Sequence, residues 1–166
     1  MTTDGPEASQ GPEGPSASEG SSASEGSSAS EGSSASMYDR VGGRDWFVAL
    51  VDRFYDRVAD DEVLRPLYPE DLGPPREHLS LFLIQYWGGP GDYSAQRGHP
   101  RLRMRHQPFT IGNAERLAWY RAMVASVREG GLSDEDEEEM ISYFASTATS
   151  LMNTGRAGVG TPVNLN

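Results

Sequence analysis

Apolar residues recur along most of the chain with the period of a helix. Phe47, Leu50, Val51, Phe54 and Val58 fall at i, i+3 and i+4 spacing, which predicts an amphipathic helix over residues 44–60 with Tyr55 on the edge of its buried stripe. Gly42 and Gly43 precede it and mark a turn. The next stretch, RPLYPEDLGPP (residues 65–75), holds four prolines and reads as a loop with one short turn of helix. Pro74 and Pro75 suit the first turn of a second helix, with Leu79, Phe82, Leu83 and Tyr86 as its stripe and Gly88, Gly89 and Pro90 as its stop. A third helix, over 113–129, opens at Asn113 as its cap and buries Trp119, Tyr120, Met123, Val124 and Val127. A fourth begins at Ser133, with Asp136 three residues on as a variant of the capping box, and buries Met140, Ile141, Phe144, Ala148, Leu151 and Met152. Its first turns carry DEDEEE (134–139), negative charge that suits the positive end of a helix dipole; a solvated helix start accounts for this run better than a metal site does. No stretch alternates as a strand would, so the expected fold class is all-α.

Residues 1–36 break this pattern. They are built from Gly, Ser, Ala, Glu and Pro, with SSASEG units repeated, and after Met1 hold no aromatic residue and no Val, Ile or Leu. Such a segment cannot bury enough apolar surface to offset the entropy of ordering it, so a disordered tail or spacer that takes no part in folding is expected. It lacks the basic start and apolar run of a secretion signal, and the Arg-rich pattern of a transit peptide. Residues 37–155 are then one domain with a core of its own, and residues 156–166 a short flexible end.

Charge and cysteine usage narrow the chemistry. The chain has no cysteine, hence no disulfide framework and no thiolate metal site. No apolar run approaches the roughly 20 residues that span a bilayer, so a soluble, cytoplasmic protein is the default. All 14 basic residues are arginine, and the net charge is −11, of which the tail's carboxylates account for six. That balance argues against nucleic acid as a partner, which needs a basic face.

One stretch runs against the acidic background. In HPRLRMRHQPF (99–109), Arg101, Arg103 and Arg105 crowd His99 and His106 between two prolines. Pro100 can start a short helix and Pro108 disfavours its continuation, so His106 sits at the end of a helix of barely two turns, on one face with Leu102. Apolar on one side and cationic on the other, His106 is disfavoured as imidazolium and suited, when neutral, to ligate a metal. The arginines call for an anion. A metal cofactor that carries its own carboxylates, as haem does, meets both demands. A lone histidine is also commonly a plain surface or core residue, and spacing alone leaves that alternative open. His99 reads as a helix cap and His78 as a polar contact at a pocket rim. Nothing has the form of a hydrolytic zinc site, a phosphate loop, or a Ser or Cys nucleophile motif.

Several separated segments carry a resemblance. FLIQYWGGPGDYSAQRGHPRLRMRHQPFTI (82–111), YDRVGG (38–43), RFYDRVADDEVLRPLYPEDL (53–72), ERLAWYRAM (115–123) and SLMN (150–153) together resemble the group II truncated haemoglobins, especially the actinobacterial type, in the same order. The resemblance covers 37–155 and implies a shortened globin fold, a two-over-two helical sandwich. It implies haem b (iron protoporphyrin IX) as cofactor, with His106 as the iron ligand. It implies Tyr55, Tyr68 and Trp119 as hydrogen-bond donors in the distal pocket, and Leu79 as the apolar residue facing the iron. Arg105, Arg97 and Tyr93 fall where the family contacts propionates or the haem edge. Phe82, Met104, Phe109, Ile111 and Met123 are the implied further contacts with the cofactor. Pro74 with Pro75 departs from the family pattern and stiffens the haem-exposed mouth.

The implied function is binding of dioxygen, carbon monoxide and nitric oxide. A donor-rich pocket suits retention of dioxygen, and so nitric oxide dioxygenase or peroxidase-like chemistry, better than bulk delivery. The chain holds no flavin or nicotinamide fingerprint, so turnover would need an external reductase. Association into a homo-oligomer is left open. The alternative of a different class is a haem-free helical interaction or adaptor module on the same scaffold.

Overall fold

The computed structural model describes residues 34–154. Their elements are α1 (Met37–Val41), α2 (Arg44–Asp60), a 3-10 turn (Arg65–Leu67), α3 (Gly73–Tyr86), α4 (Asp92–Arg97), α5 (Leu102–His106), α6 (Asn113–Arg128) and α7 (Asp134–Ser150), with no strand among the described residues. The expectations for residues 1–33 and 155–166 lie outside them. No described helix is long and apolar enough to cross a membrane.

The stripe on α2 organises the fold. Phe47, Leu50, Val51, Phe54 and Val58 are all fully buried, and α2 packs on both α3 and α6, while α6 packs along α7. Two helix pairs, α2 with α3 and α6 with α7, thus meet around a core that also takes Leu83, Ile84, Met123, Val127, Met140 and Phe144. This is the two-over-two arrangement that the resemblance implies. A polar clamp fixes the α2–α6 contact. Ser126 Oγ donates to the Ala122 carbonyl, Arg57 Nη1 donates to Ser126 Oγ, and Arg53 Nε donates to the Ser126 carbonyl. The buried hydroxyl is therefore satisfied on both sides.

The chain enters α2 through Gly42 (φ +106°) and Gly43 (φ +72°), a left-handed pair that other residues adopt only at a cost. Gly89 answers a close approach: a Cβ there would lie 2.7 Å from both Ile84 and Tyr38, so the chain leaving α3 can pass α1 only without a side chain.

Three expectations are corrected in detail. On α3, Leu83 and Ile84 enter the core but Tyr86 is 52% exposed, because this helix divides its apolar residues between the core and a cavity. At the start of α7, Ser133 Oγ accepts from the Asp136 N–H, but the Asp136 carboxylate does not complete the box. It pairs instead with Arg40 of α1 at 2.7 Å, which holds its pKa below the usual carboxylate value. The cap of α6 is Gly112, whose N–H is taken by the Glu115 carboxylate at 2.8 Å, not Asn113.

Ser36, the last residue assigned to the tail, belongs to the folded unit. Its hydroxyl accepts from the Asp39 N–H, and the Asp39 carboxylate accepts from the Ser36 N–H in return. Ser36→Ala is expected to lower stability by about 1 kcal/mol, seen as a lower urea midpoint with an unchanged slope. An unshifted midpoint would return the boundary to Met37.

Candidate functional site

The helix pairs leave a cavity of about 510 Å3, bounded by α2, α3, α5, α6, α7 and the segments between them. From α2 comes Tyr55, 4% exposed, held under the guanidinium of Arg76, which lies 5.6 Å from the ring centroid. Arg76 in turn bridges Asp52 at 3.0 Å and Asp56 at 2.7 Å, so α3 is clipped to α2 directly above the tyrosine. Tyr68 follows the 3-10 turn, and its ring meets that of Tyr55 edge-on at 5.5 Å. Trp119 arrives from α6 and is fixed between Phe54 and Phe144, both edge-on. Burial pushes the Tyr55 phenol well above its usual range, and raises that of Tyr68 to about 12 although the Trp119 indole draws it partly back. Both phenols therefore stay protonated at neutral pH and can donate.

His106 comes from α5, a helix of five residues. Its Nδ1 lies 2.7 Å from the Leu102 carbonyl. A carbonyl can only accept, so Nδ1 is the donor, and in the neutral ring Nε2 is the nitrogen that keeps its lone pair. Asn153 ties this segment down. Its side-chain amide donates to the carbonyls of His106 and Phe109, and its Oδ1 accepts from the Ile111 N–H.

A second polar group lies at the cavity wall between α3 and α4. Arg97 Nη1 donates to His78 Nε2 at 2.7 Å, while Arg97 Nε is buried without a partner. Burial, together with the positive charge of Arg97 and Arg105, holds the His78 pKa down and keeps the ring neutral. Arg105 Nη2 donates to the Arg97 carbonyl and its Nε to that of Pro100, so it braces this corner.

The cavity brings together Tyr55, Tyr68, Leu79, Phe82, Tyr93, Arg97, Arg105, His106, Phe109, Ile111 and Trp119. Two expected residues are not among them. Met104 is 61% exposed, since it stands two residues from His106 and so on the far side of α5. Met123 is fully buried in the core, where the α2–α6 contact takes it. His78, expected as a polar contact at a pocket rim, also borders the cavity; the sequence does not show the lining contributed by α7 and its C-cap, namely Tyr143, Phe144, Thr147, Ala148 and Leu151, nor that of Leu102. It also gave no role to Asn153, although SLMN had marked that segment. A more open hollow of about 530 Å3 on the outside of α6, between Arg57, Val63 and Arg121, holds none of the expected residues.

The chain matches known proteins over this whole unit. The model of a family described as bacterial-like globin matches residues 36–153. The group 2 truncated hemoglobin YjbI of Bacillus subtilis is 38% identical over 115 residues, which are 69% of this chain and 87% of that protein. Among solved structures, a thermostable hemoglobin of the actinobacterium Thermobifida fusca is similar with a TM-score of 0.72 and 48% identity, covering 73% of this chain and 99% of that one. A truncated oxygen-avid haemoglobin of Bacillus subtilis is similar with a TM-score of 0.68 and 37% identity, covering 72% of this chain and 100% of that one.

The raised tyrosines carry a pH dependence. A phenol whose folded pKa is raised contributes stability that is complete below its unfolded value and is lost as pH climbs through the folded one. For Tyr68 that window runs from 10.0 to about 12. Tyr68→Phe is expected to make the fall in urea midpoint across this window shallower. A fall as steep as that of the parent chain would contradict the buried, protonated phenol.

Proposed function

Because this chain belongs to the bacterial-like globin family, and within it to the group II truncated haemoglobins, we propose that its cavity holds haem b and that it binds dioxygen and other diatomic ligands at an iron held by His106. The observation that carries this reading is His106 itself. Its Nδ1 is committed to the Leu102 carbonyl and its ring borders a cavity that also holds three donor side chains. The residues fit the cofactor on independent grounds. Arg97 Nε, buried without a partner, is a donor to which a propionate carboxylate would be complementary. Leu79, Phe82, Phe109 and Ile111 offer apolar surface to a flat, largely apolar ring. When bound, haem supplies an iron that takes up a diatomic ligand and exchanges electrons with it.

The rest is work for the chain. His106 would hold the metal through Nε2, and its bond to Leu102 fixes the ring and raises its basicity. Arg97 and Arg105 set a positive corner for the propionates, and neutral His78 orients Arg97. Tyr55, Tyr68 and Trp119 would offer hydrogen bonds to a diatomic ligand that carries negative charge, and none of them ionises near neutral pH to oppose it. The relative described as oxygen-avid fits such a pocket. Retention of dioxygen favours chemistry on the bound ligand, against nitric oxide or peroxide, with electrons drawn from a separate reductase.

The donors give the test. A hydrogen bond to a charged acceptor is worth about 1.5–3 kcal/mol, so the loss of one should speed dioxygen release from the ferrous protein by roughly tenfold or more. Carbon monoxide gathers less negative charge and should respond much less. Trp119→Phe is expected to separate the two rates in this way in stopped-flow displacement. Equal acceleration of both ligands would mean that the indole acts as a steric gate, and a chain that takes up neither ligand would remove the reading altogether.

A further inference from the structure

Positive charge gathers on the outer face of α5. From Tyr93 to Ala114 the chain holds four arginines and no Asp or Glu, although its net charge is −11. Arginines elsewhere on the frame, Arg40, Arg44, Arg57, Arg76 and Arg128, pair with carboxylates. Arg101, Arg103 and Arg105 are all exposed, and none of them pairs with a carboxylate among the described residues. Arg103 and Arg105 spend some of their donors on backbone carbonyls. The guanidinium of Arg101 has no partner among the described residues.

These charges surround an apolar centre. Leu102 and His106 border the cavity from one side of α5, which turns Met104 to the opposite side, into solvent, with Arg103 and Arg105 on its flanks. Arg101, three residues before Met104, stands on the same side. Phe109, just past the helix, is exposed and also borders the cavity. An apolar centre inside a rim of one sign suits a protein partner of the opposite sign. The rim steers its approach and the centre sheds water on contact. A helix with its side chains is about 10–12 Å across, so a partner seated on Met104 stands one helix away from the His106 ring.

We propose that this face of α5 docks a small acidic one-electron carrier protein, which reduces the iron across the helix. The proposal rests on the haem reading given above. The sequence holds no flavin or nicotinamide fingerprint, so the electron comes from outside the chain. In the step, one electron leaves the reduced centre of the carrier and converts ferric iron to ferrous. The carrier is oxidised, no bond forms or breaks, and no proton moves. A protein fits this face better than a nucleic acid or a lipid surface does, because the arginines ring one apolar turn and do not extend into a stripe. Complexes that pass electrons are small and short-lived, which such a patch can support.

The test uses the full, haem-loaded chain and a plant-type [2Fe–2S] ferredoxin as the acidic carrier. Oxidised ferredoxin should bind the ferric chain with an affinity that falls as salt is raised, and reduced ferredoxin should reduce the iron in stopped flow. Arg101→Glu is expected to weaken binding and slow this reduction by about tenfold or more at low salt, while Arg101→Lys keeps both. Met104→Ser should weaken binding and leave its salt dependence unchanged. All three variants should keep the Soret band, carbon monoxide binding and reduction by dithionite of the parent chain. Arg121→Glu makes the same change in net charge on the exposed side of α6 and should have much less effect. Unchanged binding in Arg101→Glu, or an equal loss in Arg121→Glu, would overturn the docking site. So would a normal Soret band without salt-dependent binding of ferredoxin. Displacement of ferredoxin by vesicles of an anionic phospholipid would assign the face to a membrane and overturn the carrier. A chain without a Soret band would overturn the haem reading and the proposal with it.

Discussion

The Leu102 carbonyl accepts a hydrogen bond from His106 Nδ1 at 2.7 Å, and the chemistry of the site depends on that contact. It makes Nδ1 the donor, and so in the neutral ring leaves Nε2 as a base or a ligand. The bond exists only because Leu102 and His106 stand four residues apart on one turn of α5. A helix of five residues does not hold itself together in water. Its first flanking residue, Arg101, even sits in the left-handed region at φ +44°, an unfavourable conformation outside glycine. The surroundings hold it instead. Arg105 reaches back to the carbonyls of Pro100 and Arg97, Arg103 donates to the Ser150 carbonyl at the end of α7, and Asn153 binds the carbonyls of His106 and Phe109. The arginines that look in sequence like an anion site are thus in part braces, spent on backbone oxygens. Arg97, with its orphaned Nε, keeps the character of an anion ligand.

The other half of the site rests on the helix frame. Tyr55 and Trp119 are carried by α2 and α6, which the apolar stripe and the Ser126 clamp lock together. Their rings are set by neighbours on the same frame, Phe54 touching both edge-on and Arg76 covering Tyr55. Donors on packed helices are better positioned than donors on loops, and a pocket built to hold charge gains from that rigidity. The histidine is placed by backbone hydrogen bonds and the donors by packing. Two different kinds of force therefore converge on one cavity.

How much of this is legible in sequence follows from how each residue is used. The stripe on α2 has a single partner, the core, and its period alone gives the helix from Arg44 to Asp60. The stripe on α3 serves two neighbours. Leu83 and Ile84 enter the core, Leu79 and Phe82 turn to the cavity, and Tyr86 is left half in water; one period cannot separate these uses. The same ambiguity hides the contribution of α7, whose Tyr143 and Thr147 look like any helix flank until the cavity is seen beside them. Met104 and Met123 lie off the cavity for opposite reasons. One lies two residues from the histidine and points away, and the other lies four residues from Trp119 and points inward. Residue type predicts a cap, but does not say that Asp136 leaves its own helix for Arg40. The place of His106 at the end of a short helix is legible because prolines bound that helix. The histidine's bond to Leu102 could be anticipated from the i, i+4 spacing, but its support from Asn153 could not.

The ferrous spectrum of His106→Gly, with and without added imidazole, tests the central claim most directly. The account requires that the variant, loaded with haem, lose the five-coordinate histidine-ligated spectrum of the parent chain. Imidazole entering the space left by the side chain should restore it. The parental spectrum appearing without imidazole would contradict the assignment, because another group would then be holding the iron.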